Sequence, residues 1–257
     1  MSRIMAHMVS FFPDRDRSMA VADGLVEGGA AYLEIQFPFS DPTADGPAIQ
    51  SACQSALHAG FSVDAGMRFV ADVCNRHSIP VFIMTYASLI FARGVREFLS
   101  AGRDAGASGY ILPDLPLDYD EGAYEIADKL GTTVMPVVVT SMNDERFSLL
   151  ARRNPKYLYV ALRRGITGVR TDISADNLEF LNRLTALDTL VMAGFGISER
   201  SQVEMLEPHV HAAVVGSALV RTVAETTQST ADRPAGTSAD EIRARLASQV
   251  KDLAGTP

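Results

Sequence analysis

The segment Glu34-Ile35-Gln36-Phe37-Pro38-Phe39-Ser40-Asp41-Pro42-Thr43-Ala44-Asp45-Gly46-Pro47 carries three carboxylates across the junction of a strand and a loop. Ala31–Phe37 predicts a strand, and the Pro, Gly and Asp residues after it predict a loop. Along a strand Tyr32, Glu34 and Gln36 share one face, and Leu33, Ile35 and Phe37 share the other. Where helices cover a barrel, the apolar set packs outward and Glu34 faces the interior. A carboxylate there is costly unless it is hydrogen-bonded, protonated or open to a pocket. Two readings of Glu34 stand. It is a catalytic carboxylate at the C-terminal end of a barrel strand, where such folds hold acid–base chemistry, or a structural carboxylate satisfied by the loop that follows.

Three later loops suit an anion. Gly194-Phe195-Gly196-Ile197-Ser198 follows an apolar run, and Gly216-Ser217-Ala218 follows the next and leads into a short helix. Arg163-Arg164-Gly165-Ile166-Thr167-Gly168 follows the run before them. Glycine lets the backbone approach an anion closely, and a helix start presents free N–H donors. Ser217 adds a hydroxyl. Each loop alone is ordinary turn chemistry. Together, at consecutive strand ends, they read as a phosphate site at Gly168, Gly194, Gly196, Gly216 and Ser217, in the place where barrels hold phosphate.

The elements that must position these groups alternate along the chain. Strands are predicted over Met5–Phe11, Ala31–Phe37, Pro80–Tyr86, Gly109–Leu112, Thr133–Val139, Tyr157–Leu162, Thr189–Gly194 and Ala212–Gly216. Helices are predicted over Arg15–Glu27, Gln50–His58, Val63–His77, Val95–Ala101, Glu121–Leu130, Asp144–Arg153 and Ala175–Leu184, with a short one from Glu199. The strands are short apolar runs bounded by turn residues, as in parallel sheets covered on both faces. Thr226–Thr237 reads as a mobile loop, and Asp240–Leu253 as a last helix with Ile242, Leu246 and Val250 on one stripe.

At 257 residues the chain matches the roughly 250 that a single (β/α)8 barrel needs. A doubly wound sheet would carry a glycine-rich fingerprint after its first strand, and Phe11-Phe12-Pro13-Asp14 is not one. No apolar run of roughly 18 residues predicts a membrane span. Met1–Ala6 lacks the layout of a signal peptide. Cys53 and Cys74 lie in helix-like segments without metal-ligand spacing, and the expectation is reduced packing residues in a cytoplasmic protein. The net charge of -8 argues against a nucleic-acid partner but not against a small anion held by local groups. His7, His58, His77, His209 and His211 are dispersed and expected at surfaces or helix ends, although His7 lies on the first strand near the expected pocket.

The motif from Pro38 to Pro47 resembles that of the tryptophan synthase α subunit family. The resemblance covers the chain from about His7 through the last helix. Met84-Thr85-Tyr86-Ala87, Asp114-Leu115-Pro116, Arg163 with Gly165-Ile166-Thr167-Gly168, and the two later glycine loops follow in the family's order. It implies a (β/α)8 barrel that cleaves indole-3-glycerol phosphate to indole and glyceraldehyde 3-phosphate, with no metal or cofactor. It implies that Glu34 shuttles protons to and from indole C3 and that Asp45 takes the indole N–H. Tyr86 and Tyr159 then line the pocket, Phe195 packs on the indole, and Thr167 closes a mobile loop that helps organise Asp45. Gly168, Gly196, Gly216 and Ser217 match the phosphate positions.

The chemistry suits these residue types. Retro-aldol cleavage needs C3 protonated by an acid of near-neutral pKa, and carboxyls in apolar surroundings move toward that range. A fixed carboxylate stabilises the positive charge that develops at the indole nitrogen.

Four departures concern what the barrel couples to. At most a few residues precede the first strand, where the family usually carries a helix. Ser10-Phe11-Phe12-Pro13-Asp14 replaces the usual first loop, Gln36 replaces a glycine, and Ser88 replaces an asparagine. Ser88 and the Asp41 loop resemble the face that meets a β subunit in an αββα complex. The chain is therefore read as a lyase, either an α subunit or free-standing. An alternative is a catalytically weak subunit that activates a pyridoxal-phosphate β-type partner. A third reading keeps the lyase chemistry on another phosphorylated substrate, with Gln36 the residue that leaves it open.

Overall fold

The computed structural model describes residues 2–162, 172–227 and 238–255. The first half runs β1 (Ile4–Val9), α1 (Ser18–Glu27), β2 (Tyr32–Gln36), α2 (Pro47–His58), α3 (Val63–Arg76), β3 (Val81–Met84), α4 (Ala87–Arg93), α5 (Val95–Asp104), β4 (Gly109–Ile111) and α6 (Ala123–Leu130). The second runs β5 (Val134–Met135), β6 (Val137–Val139), α7 (Asp144–Arg153), β7 (Tyr157–Ala161), α8 (Ala175–Leu184), β8 (Leu190–Gly194), α9 (Arg200–Leu206), β9 (Ala212–Val215), α10 (Ser217–Thr227) and α11 (Ala239–Ala254).

All the strand pairs are parallel, in the order β5-β4-β3-β2-β1-β9-β8-β7-β6. The two ends of that order are neighbours in the chain. Val134–Met135 pairs with β4 and Val137–Val139 with β7, so one broken strand brings the sheet round on itself as a barrel. The break falls at Pro136, which has no N–H for a ladder. Its carbonyl still accepts from Tyr159 N at 2.9 Å. The predicted fifth strand Thr133–Val139 is therefore two segments.

The alternation read from β2 holds in three dimensions. Leu33, Ile35 and Phe37 join the apolar layer between sheet and helices. Inside the barrel, Met5, Phe82, Met84, Ile111, Met135, Tyr159, Met192 and Val214 form a second cluster. Unbranched methionine fills an irregular interior with few strained rotamers.

The first loop turns inward. Phe11 adopts φ 66°, which ends β1 two residues before the predicted boundary. Its ring meets Phe61 edge-on at 5.5 Å and Phe69 at 6.4 Å, and its N–H donates to Ser18 Oγ at 3.1 Å. Phe11 is a packing residue under this loop, with Phe12 half-buried beside it. Helical structure also occupies two stretches where none was predicted. Ala87–Arg93 is an additional helix ended at Gly94, and α10 runs through Thr227, where a loop was predicted from Thr226. Residues 228–237 of that predicted loop lie outside the described residues. Cys53 and Cys74 are unpaired and sit in α2 and α3, and burial pushes the Cys53 thiol up to about 12. Among the described residues no helix is long and apolar enough to cross a membrane.

The last helix packs across α1 through a glycine contact. A β-carbon on Gly24 would lie 2.5 Å from the Arg243 carbonyl oxygen, and Arg243 pairs with Glu27 beside it. The predicted stripe Ile242, Leu246 and Val250 is fully buried there. Gly24→Val is expected to cost about 1–3 kcal/mol, because the obstructing atoms are backbone that must separate. Thermal unfolding would then begin lower by about 2–4 °C per kcal/mol, and an unchanged midpoint would refute the contact.

Candidate active site

One cavity at the C-terminal ends of the strands gathers most of the residues singled out above. It is partly open to solvent and is lined by His7, Glu34, Asp45, Tyr159, Phe195, Gly196, Gly216 and Ser217 among apolar neighbours such as Ile49, Met84, Ile111 and Val214. Glu34 enters from β2, whose alternation points it inward. Asp45 enters from the loop that leads into α2, the loop whose Pro and Gly residues turn the chain back over the barrel mouth. Asp41, the third carboxylate of the motif, is exposed and accepts from Ser40 Oγ.

Asp45 is held on several sides. Gln36 Nε2–H donates to Asp45 Oδ2 at 2.7 Å, and the Tyr86 hydroxyl donates to the same oxygen at 3.0 Å. Gln50 Nε2–H donates to the Asp45 carbonyl at 2.8 Å. The Tyr86 oxygen also accepts from Ala44 N–H at 3.0 Å, and its ring stacks on Phe39 at 5.4 Å. Burial raises the Asp45 carboxyl above its ordinary range, opposed by His7, Gln36 and Tyr86 and reinforced by the nearby charge of Glu34. Tyr86 therefore stands behind Asp45 and braces it, and it is not itself on the cavity wall.

Glu34 faces His7. Nδ1 of His7 lies 3.2 Å from Glu34 Oε1, and both side chains are buried. Burial is the largest single effect and lowers the imidazole, but the charge and hydrogen bond of Glu34, with smaller contributions from Asp45 and Gln36, together outweigh it, and the net direction is upward. Glu34 Oε2 is buried without a hydrogen-bond partner, so the loop after β2 does not satisfy this carboxylate. His7 is thus not at a surface or helix end, as its dispersal among the histidines predicted. Parallel pairing sets His7 of β1 beside Glu34 of β2, a register that no local pattern states.

The phosphate candidates divide. Gly216 and Ser217 line the cavity where β9 gives way to α10, a helix with no acidic residue in its first turn. First-turn amides have no partner inside their own helix and favour an anion. Gly196 also lines the cavity, next to Phe195, which takes φ 83°. That left-handed backbone is uncommon for an aromatic residue and is the kind of strain that collects at working sites. The Phe195 ring meets Tyr159 edge-on at 6.2 Å. Gly194 is not on the wall. A β-carbon there would lie 2.8 Å from Val214 Cβ and 3.0 Å from the Tyr159 hydroxyl, so this glycine serves close packing behind Tyr159. Thr167, Gly168 and the arginines Arg163 and Arg164 lie outside the described residues. Among the described residues no group of three His, Cys, Asp or Glu side chains is arranged to hold a metal ion.

Known proteins resemble this chain. A family model described as the tryptophan synthase alpha chain matches residues 2–249. The tryptophan synthase alpha chain of Helicobacter hepaticus is 34% identical over 230 residues, 87% of this chain and 86% of the relative. That of Methanosarcina acetivorans is 34% identical over 223 residues, 86% of this chain and 81% of the relative. The chain belongs to the tryptophan synthase alpha chain family.

Solved structures agree. A chain from an X-ray structure of the tryptophan synthase complex of Pyrococcus furiosus superposes with a TM-score of 0.83 at 28% identity, covering 99% of this chain and 98% of that one. A second Pyrococcus furiosus structure, described as an α2β2 complex, gives 0.85 at 30% identity over 99% and 98%. The tryptophan synthase alpha subunit is a lyase that cleaves indole-3-glycerol phosphate to indole and glyceraldehyde 3-phosphate. The family's barrel, expected from the chain length and the alternation of strands and helices, is the fold of this chain.

Proposed function

We propose that the lyase chemistry of this member of the tryptophan synthase alpha chain family is carried by Glu34 and Asp45, with the phosphate of indole-3-glycerol phosphate held at Gly196, Gly216 and Ser217. The observation that carries the reading is that both carboxylates and the start of α10 line one largely apolar cavity. Ile49, Ile111, Tyr159 and Phe195 offer apolar and aromatic walls to a planar indole. Glu34, with its unpartnered Oε2, protonates C3. Asp45, held by Gln36 and Tyr86, accepts the indole N–H as positive charge grows there. Glu34 then removes the proton of the side-chain hydroxyl as the C–C bond breaks.

A β subunit as partner belongs to the same proposal, and the solved structures titled as tryptophan synthase complexes favour it. The altered first loop bears on this less than its sequence suggests, because Phe11 packs inward. The deciding experiment is indole release from indole-3-glycerol phosphate by the purified chain, with and without a tryptophan synthase β subunit. Slow release that rises strongly with the β subunit supports a coupled alpha chain. Fast release alone supports a free-standing lyase, and no release in either condition overturns the lyase assignment.

Ser217→Asp tests the phosphate end. A carboxylate at the start of α10 repels a phosphate there, and binding of glycerol 3-phosphate is expected to weaken about ten-fold or more, a loss of roughly 1.4 kcal/mol. Unchanged affinity by calorimetry would move the phosphate elsewhere.

A further inference from the structure

His7 is the buried titratable group in the cavity that the cleavage chemistry leaves unassigned. Its Nδ1 lies 3.2 Å from Glu34 Oε1. Its Nε2 is buried without a hydrogen-bond partner, as are Glu34 Oε2 and Gln36 Oε1. The three side chains sit on two adjacent strands, in a register that pairs His7 with Glu34 and Val9 with Gln36. Gln36 extends the cluster by donating to Asp45. No hydrogen bond of ordinary geometry joins His7 to Gln36, but the amide of Gln36 lies close enough to favour a protonated imidazole. The polar chain therefore runs Glu34, His7, Gln36, Asp45.

Among the described residues, the charged groups acting on His7 are all of one sign. Glu34 faces it from β2 and Asp45 from the loop beyond. Tyr159 on β7 feels the same two carboxylates, and burial raises its hydroxyl well above its ordinary range. At the start of α10, a β-carbon on Gly216 would sit 3.5 Å from the His7 ring. No lysine or arginine is among the described residues lining the cavity. Among the described residues lining the cavity, an imidazolium at this position is the positive charge placed to balance the two carboxylates.

We infer that His7 is a positioning residue that shares a single proton with Glu34, so that the acid consumed in cleavage is the pair and not a lone carboxyl. The inference rests on the lyase reading above. With the shared proton present, the pair is neutral. That proton leaves for indole C3, and a C–H bond forms from the ring π electrons. The pair remains as neutral imidazole donating Nδ1–H to the Glu34 carboxylate. The carboxylate then takes the hydroxyl proton of the glycerol side chain. The O–H electrons become the aldehyde C=O, the C–C electrons return to the indole ring, and the shared proton is regained. Groups coupled this closely titrate as a unit. Gln36 completes the arrangement, since its amide lies against the imidazole and donates to the second carboxylate.

The test reads His7 directly. Imidazole ¹⁵N resonances of the full chain are followed from about pH 5 to about pH 9, the range of imidazole titration, in the native protein and in Glu34→Gln. Gln keeps the shape and removes the charge. Burial then acts on His7 unopposed by that partner, and its apparent pKa is expected to fall by about one unit or more. An unchanged titration overturns the inference. A second arm compares the pH profile of kcat for His7→Asn with the native profile. Without His7 the proton must be held by a carboxyl, whose ordinary range lies below that of imidazole. The alkaline limb is expected to move to lower pH, with kcat affected more than KM, and superimposable profiles overturn the inference. The titration arm needs no substrate. If the native chain releases no indole, the lyase reading fails, and the resonances still judge the pair.

Discussion

Glu34→Gln is expected to lower kcat for indole release by about 10³-fold or more while leaving affinity for a phosphorylated ligand close to native. The expectation follows from where the two functions sit. Glu34 stands on β2 with one oxygen toward His7 and the other unpartnered. The proposed anion end lies away from it, at Gly196 after β8 and at Gly216 and Ser217 where β9 gives way to α10. General acid–base catalysis contributes about 10²–10⁴-fold for one group, and Glu34 is assigned two proton transfers in one cycle. The amide keeps the volume and accepts from His7, so the barrel interior is not reorganised. It has no transferable proton. Turnover and glycerol 3-phosphate binding are measured on the same preparation. Strong residual turnover would remove the proton-transfer role, and lost binding with intact folding would show that Glu34 acts on affinity.

Asp45→Asn is expected to cost about 10²–10³-fold in kcat, the range found when one preorganised electrostatic partner is removed. Both donors to the Asp45 side chain, Gln36 Nε2–H and the Tyr86 hydroxyl, converge on Oδ2. An asparagine satisfies them by turning its one oxygen that way. Its NH₂ then points where the indole N–H must be accepted, a donor facing a donor. Near-normal activity would take Asp45 out of the mechanism. Tyr86→Phe separates charge from bracing. It keeps the carboxylate and removes a hydrogen bond that favours the ionised form. Burial already raises Asp45, so losing Tyr86 raises it further. The ionised form is the one that works, and the acid limb of the kcat profile should therefore move to higher pH. A limb that moves down or stays would show that Tyr86 does not hold this carboxylate.

The two carboxylates differ in how far the chain alone specifies them. A period of two placed Glu34 and Gln36 inward and Leu33, Ile35 and Phe37 outward, because successive side chains on a strand must point to opposite faces. The helix over Asp144–Arg153 carries its start in its side chains, and the structure shows Asn143 Oδ1 accepting from Arg146 N–H at 2.9 Å. Pro136, a residue without a donor, lies inside the single strand predicted over Thr133–Val139, and the strand breaks there. The helix Ala87–Arg93 was less visible, since it follows β3 after only two residues and its run Ala-Ser-Leu-Ile-Phe reads as a continuation of an apolar segment.

Local pattern determined the succession of strands and helices, the inward face of β2, the apolar stripe of the last helix and the loop that carries Asp45. Each depends on residues within a few positions of one another. Only the tertiary structure decided that His7 meets Glu34, that Gln36 reaches forward to Asp45, and that Gly194 makes room for Tyr159 while Gly216 abuts the His7 ring. Strand register and barrel closure set those contacts. Register is settled by the summed packing of every layer, not by the residues that come to face one another.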